Sequence, residues 1–260
     1  MTGISLKLLV LEFRKMWNLS VIIISSILLL ISLLVNFIPL IVGAYSIEGP
    51  IKSYDIQTAL SQGFTILVPL LSLIFGAGII SNDIKNHWIR TVLSRPITRA
   101  DFLLTKIIST SLTIFILMLI IGTLPVVILS IIAPVNTNFD FLKFIGTHAL
   151  FLGEAITYIT ICSLISCWLP GFTNIIILIV WMLSNSILSM VVNNYFWDSS
   201  IAMLIADFYF PGGFQEAAES LVSGASFPLE KLLWGFSSLF GFIALALFNF
   251  NFIQIDKGIE

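Results

Sequence analysis

Residues 102–132 read FLLTKIISTSLTIFILMLIIGTLPVVILSII, and a bilayer is the ruler for such a run. A hydrocarbon layer of about 30 Å is crossed by about 20 apolar residues in a helix. Five further runs fit the same ruler, at 19–42, 64–80, 146–169, 172–192 and 232–252. Over the whole 260 residues, 58% are hydrophobic and 10% charged, against about half and a quarter in soluble domains. No soluble core of this size hides that much Ile, Leu, Val and Phe. The composition also excludes disorder, and a net charge of −2 with no basic face excludes nucleic acid as a partner. The expectation is an all-α membrane protein with six transmembrane helices, one domain over 1–260, solvated by the lipid bilayer. Cys162 and Cys167 fall on different sides of a helix and read as small apolar side chains, not a disulfide or metal site.

Lysine and arginine accumulate on the cytoplasmic side of membrane proteins. With the N-terminus inside, the inner segments hold Lys7, Arg14, Lys15, Lys85, Arg90, Arg95, Arg99, Lys106 and Lys257, and the outer ones Lys52, Lys143 and Lys231. Nine against three places both termini in the cytoplasm. The first run is too long for a signal peptide's apolar region and lacks a small-residue cleavage site, so it is expected to remain as the first span.

Three segments outside the runs carry their own patterns. Within 1–18, Leu6, Leu9, Val10, Phe13, Met16 and Trp17 recur at helical spacing opposite Lys7, Glu12, Arg14 and Lys15. This predicts an amphipathic helix on the inner membrane surface, as an anchor for the first span or as an arm that also touches a cytoplasmic partner. Between spans two and three, Ile84, Trp88 and Val92 recur every four residues beside Lys85, Asn86 and Arg90. Asn82 is placed to cap a short helix, Pro96 to end it, and Thr98-Arg99-Ala100-Asp101 to start the next with a capping box. The loop is either a docking surface or a basic amphipathic segment held by anionic lipid. Residues 194–230 carry the aromatic clusters Tyr195-Phe196-Trp197 and Phe208-Tyr209-Phe210, the turn Pro211-Gly212-Gly213 and an amphipathic stretch from Phe214 to Val222. They predict short helices that dip into the outer leaflet and return, or an ordinary interfacial loop.

The loop between spans two and three resembles the ABC type-2 permease family, the membrane subunits of bacterial ATP-binding-cassette exporters. Leu93-Ser94-Arg95-Pro96-Ile97-Thr98-Arg99, followed by Phe102, Leu103 and Lys106, carries the resemblance. The layout of surface helix, six spans and a re-entrant region before the last span extends it. Asp83 holds an acidic position often followed by Gly-Thr in that family, and Ile84-Lys85-Asn86-His87-Trp88 replaces the usual small continuation. The resemblance implies that 83–97 form a coupling helix fitting a cleft in an ATPase subunit. Asp83, Ile84, Trp88, Arg90, Val92 and Arg95 would be the coupling residues, with Trp88 as buried anchor and Arg90 and Arg95 at the rim. It also implies a second permease, identical or homologous, ATP and magnesium on the ATPase partner with no cofactor on this chain, and a bacterial cell membrane.

No Gly-x-x-x-x-Gly-Lys-Ser/Thr run occurs, so energy would come from the partner; no His-Glu-x-x-His or Gly-x-Ser-x-Gly run marks a catalytic set or metal site. Glu154 is an acid within a span, and Thr157, Tyr158 and Ile161 continue its face. Glu154, Thr157 and Tyr158 are candidates for a substrate cavity or relay; the other reading is a structural hydrogen-bonded group paired with Lys143. Asn174, Asn185, Ser163 and Ser166 are expected to join helices, and Pro69 and Pro125 to kink theirs. Few intramembrane charges fit export of an amphiphilic or hydrophobic cargo, such as a peptide antibiotic, a drug or a lipid-like molecule. An ion-coupled secondary transporter and a non-transporting scaffold are the other classes.

Overall fold

The computed structural model describes residues 6–28, 30–31, 53–94, 96–132, 140–195 and 212–252. Among these, ten helices and their turns make up the fold, and no residue is in a strand. The helices are α1 (Leu6–Met16), α2 (Leu19–Leu28), α3 (Ser53–Gly76), α4 (Ser81–Lys85), α5 (Trp88–Leu93), α6 (Arg99–Ile132), α7 (Phe141–Ser166), α8 (Gly171–Tyr195), α9 (Gly212–Ser223) and α10 (Leu229–Phe252).

Four stretches are long and apolar enough to cross a membrane: Leu60–Lys85, Arg99–Leu124, Phe141–Ser166 and Leu229–Phe252. They fall on the predicted second, third, fourth and sixth runs. Of the first run, 19–42, half lies outside the described residues. The fifth falls on α8, whose apolar stretch Gly171–Trp181 is the shorter one. Along α8 the apolar side chains of Phe172, Val180, Leu183, Ile187 and Met190 are all exposed. In water that surface would be costly, and in lipid it is solvated.

Helix α7 is the centre of the bundle and packs against α3, α6, α9 and α10. Asp140 starts it, its carboxylate accepting from the backbone N–H groups of Leu142 and Lys143. At this end Gln57 of α3 donates to the Asp140 carbonyl at 3.0 Å. At the opposite end the α6 start is tied to the α10 end, where Arg99 donates to the carbonyls of Phe250 and Asn251. The capping box forms: the Asp101 N–H donates to Thr98 Oγ1, whose hydroxyl donates back to the Asp101 carboxylate at 2.7 Å. Buried hydroxyls along α6 turn inward on their own helix, with Thr105, Ser111 and Thr113 donating to carbonyls one turn earlier.

Helices α9 and α10 form an antiparallel hairpin turned at Gly224, which has a left-handed φ of 73°. Lys231 pairs with Glu216 at 2.6 Å across the hairpin. Beside that pair, Phe214 packs edge-on to Phe236. Phe214 is wedged between two glycines: a Cβ on Gly153 would lie 2.7 Å from its ring, and one on Gly235 3.2 Å. Gly153 stands 12 residues into α7, roughly 18 Å along its axis. The start of α9 is therefore packed against the middle of α7. The aromatic clusters predicted to sit at headgroup level lie outside the described residues, save Tyr195, which is exposed.

Candidate functional site

After α3, a turn at 77–80 leads into α4, which ends at a break where His87 takes φ 56°. That left-handed conformation is rare outside glycine, with histidine among the residues that tolerate it best. The predicted single helix over 83–97 is thus two, and the reason is this turn. Asn82 does not cap α4. The N-cap position is Ile80 with no side-chain bond of its own, and the cap arrives from another helix. Ser166 at the end of α7 accepts from the N–H groups of Ile80 and Ser81 at 3.1 and 2.9 Å. Asn174 of α8 adds bonds to the carbonyls of Ala77 and Cys162. Ser166 and Asn174 therefore join helices as expected; Ser163 bonds within its own helix to Thr160, and the Asn185 side chain lies outside the described residues.

The break turns the loop's charged and apolar groups inward. Asp83 is 2% exposed, and Ile84, Ile89 and Val92 are buried. Lys106 of α6, also 2% exposed, makes ion pairs with both Asp83 and Glu12 of α1. Lys15 reaches Asp83 at 2.6 Å and lies 5.3 Å over the Trp88 ring. Trp88 Nε1 donates to the other oxygen of Glu12 at 2.8 Å. Two carboxylates and two ammonium groups thus meet, formally neutral, at the junction of α1, α4, α5 and α6. Such a cluster is tolerated in a buried place only because each charge has its partner.

This placement revises the residues expected to meet a partner. Asp83, Ile84 and Val92 face the interior, Trp88 is half-buried against α1, and Arg95 lies outside the described residues. Arg90 is exposed, as expected. The outward surface of the loop is formed instead by Lys85, Asn86, His87, Arg90, Thr91 and Ser94. Glu12, read as part of a polar face, is fully buried, while Leu6, Val10 and Leu11 of α1 are exposed. Sequence reasoning missed Glu12, Lys15 and Lys106 as a cluster. The signal was there: a lysine two turns into an apolar helix needs an acid, and Asp83 stands one turn beyond the preceding apolar helix.

The second candidate group lies in α7. Glu154 is fully buried, and neither carboxyl oxygen has a hydrogen-bond partner among the described residues. Pairing with Lys143 does not occur, since 11 residues place the two about 16 Å apart along one helix. Thr157 donates to the Gly153 carbonyl, and Tyr158 packs edge-on to Trp181 of α8 at 6.0 Å. Glu219 of α9 stands within electrostatic reach of Glu154. Both cysteines are free and buried, and among the described residues no group of three His, Cys, Asp or Glu could hold a metal.

The sequence model of the family described as ABC-2 family transporter protein matches residues 8–223, from the first turn of α1 to the end of α9. The comparison with curated proteins finds no matching relative.

Proposed function

The chain belongs to the ABC-2 transporter family, a family of multi-pass membrane components of transporters, and from that premise we propose that it is the permease subunit of an ATP-driven exporter. Its six spans leave both termini in the cytoplasm of a bacterial cell. A second permease, identical or homologous, completes the pathway, and a separate ATP-binding-cassette subunit binds ATP and magnesium. The cargo is amphiphilic or hydrophobic.

One observation carries the reading: Lys106 holds Glu12 and Asp83 together. A loop that merely connected two spans would gain nothing from a buried ion cluster, which is costly to assemble. A loop that must pass a displacement to the spans needs a rigid attachment, and this cluster fastens α4 and α5 to both α1 and α6. The ATPase meets the outward surface of Lys85, His87 and Arg90. Its differential grip in the ATP-bound and nucleotide-free states then tilts α6 through Lys106.

The test is to purify the tagged chain from its native membrane in mild detergent and assay co-purifying ATP hydrolysis. The wild-type chain should bring an ATPase with it, and the Lys85→Glu, Arg90→Glu double variant should lose it while the chain elutes as before. Absence of ATPase from the intact wild type, or full retention by the double variant, would refute the reading.

A further inference from the structure

The cytoplasmic loop absorbs one set of buried charges and leaves another without a role. Glu154 is at the heart of the bundle, 0% exposed, with both oxygens unpartnered among the described residues. Glu219, a second acid on α9 held by Gln215 at 3.0 Å, acts on it electrostatically. Lys231 is engaged with Glu216, and Lys143 is about 16 Å away along α7. Buried polar groups normally find partners, and intramembrane acids mark sites of function.

What lies beneath Glu154 suits a particular ligand. One turn along, Tyr158 meets Trp181 of α8. Trp181 and Ile165 pack on the small apolar cluster of Leu73, Ile161, Cys162 and Leu178. Ile165 also lines an open groove of about 540 Å³ between α7, α8 and α10, whose apolar wall includes Leu164 and the exposed side chains of Trp168, Ile177, Leu245 and Phe248. Trp168 donates to Asn249 there at 2.8 Å. From Glu154 to Ile165 is about 16 Å along α7, the reach of a dodecyl chain. An acid, an aromatic pair and an apolar groove follow one another along α7, the first beside α9 and the other two beside α8 and α10.

We infer that this seam binds a cationic amphiphile, an amine or quaternary ammonium head at Glu154 with its apolar tail running past Tyr158 and Trp181 into the groove. Charge complementarity selects the head: Glu154 is a buried acid that no lysine or arginine of the described residues answers, and Glu219 adds a second negative group to its electrostatic surroundings. The aromatic faces of Tyr158 and Trp181 favour a cation passing them. The seam is closed around Glu154, so the head enters as α9 shifts off its close contacts at Gly146 and Gly153. This inference deepens the export reading and rests on it for the direction of movement, while binding itself is independent of any ATPase.

The experiment uses the full chain in nanodiscs of phosphatidylcholine, with tritiated dodecyltrimethylammonium, dodecyl sulfate and dodecanol, and empty nanodiscs to subtract partitioning. The ammonium probe should bind saturably and the other two should not. Glu154→Gln should weaken it at least about tenfold and Glu219→Gln several-fold, while Glu154→Asp stays near wild type. Leu164→Trp, which fills the groove, should weaken the dodecyl probe and leave butyltrimethylammonium unchanged. Elution and protection of the buried cysteines report folding of each variant. Wild-type affinity in folded Glu154→Gln, equal saturable binding of dodecyl sulfate, or no saturable binding of the ammonium probe would each overturn the inference. Loss of the co-purifying ATPase, by contrast, bears only on the export reading.

Discussion

Replacing Lys106 with Met keeps an unbranched side chain of similar length and removes the charge that Glu12 and Asp83 share. Those carboxylates are 0% and 2% exposed, and the remaining cation, Lys15, is 46% exposed and touches Asp83 alone. Among the described residues, Glu12 is left with only the Trp88 N–H as donor. Removing one partner of a buried pair costs about 3–5 kcal/mol, a large part of the total stability of a domain. Lys15→Met, which breaks a half-exposed pair, should cost no more than about 1 kcal/mol. The double variant Lys106→Met, Glu12→Gln restores neutrality between Asp83 and Lys15 and still offers Trp88 an acceptor, so it should recover more than half of the loss. Cys162 and Cys167 are free, buried thiols, and their labelling during a denaturant titration in mild detergent reports unfolding without added probes. A Lys106→Met chain within about 1 kcal/mol of wild type, or a double variant no better than the single, would show that the cluster does not hold the junction together.

Two further outcomes follow from packing. Ser166→Ala removes the acceptor for the Ile80 and Ser81 N–H groups; the loss should be about 1–2 kcal/mol, with faster amide hydrogen exchange confined to α4. Gly153→Val drives a side chain into the Phe214 ring and should cost about 1–3 kcal/mol; adding Phe214→Ala should return part of it, and strictly additive losses would mean that the two do not meet.

The apolar runs were legible because lipid imposes one simple length on a helix, and the capping box because Thr98 and Asp101 act within a single turn. What stayed hidden depends on the meeting of segments distant in sequence. Asn82 has the right chemistry for a cap, yet Ser166, 85 residues away from Ser81, does the capping. The four-residue spacing of Ile84, Trp88 and Val92 suggested one helix, and the left-handed turn at His87 breaks it while keeping Ile84 and Val92 buried. Trp88 was expected to face a partner, and it binds Glu12 of its own chain. For Glu154, the sequence marks a costly acid but not which helix comes to stand beside it; α9 arrives from 60 residues further on, through glycines that look unremarkable in a row of letters.

The order in which the charges of the junction leave the ribosome has its own meaning. Glu12, Lys15 and Asp83 all precede Lys106 along the chain, so both acids are already made when α6 begins to enter the membrane. Its lysine meets waiting partners and never has to cross hydrocarbon alone. Ser166, by contrast, is synthesised 60 residues after Lys106, so α4 acquires its cap only once α7 has been threaded back. The nascent chain therefore fastens its amino-terminal half first, and the later helices are added to an anchorage that is already electrically closed.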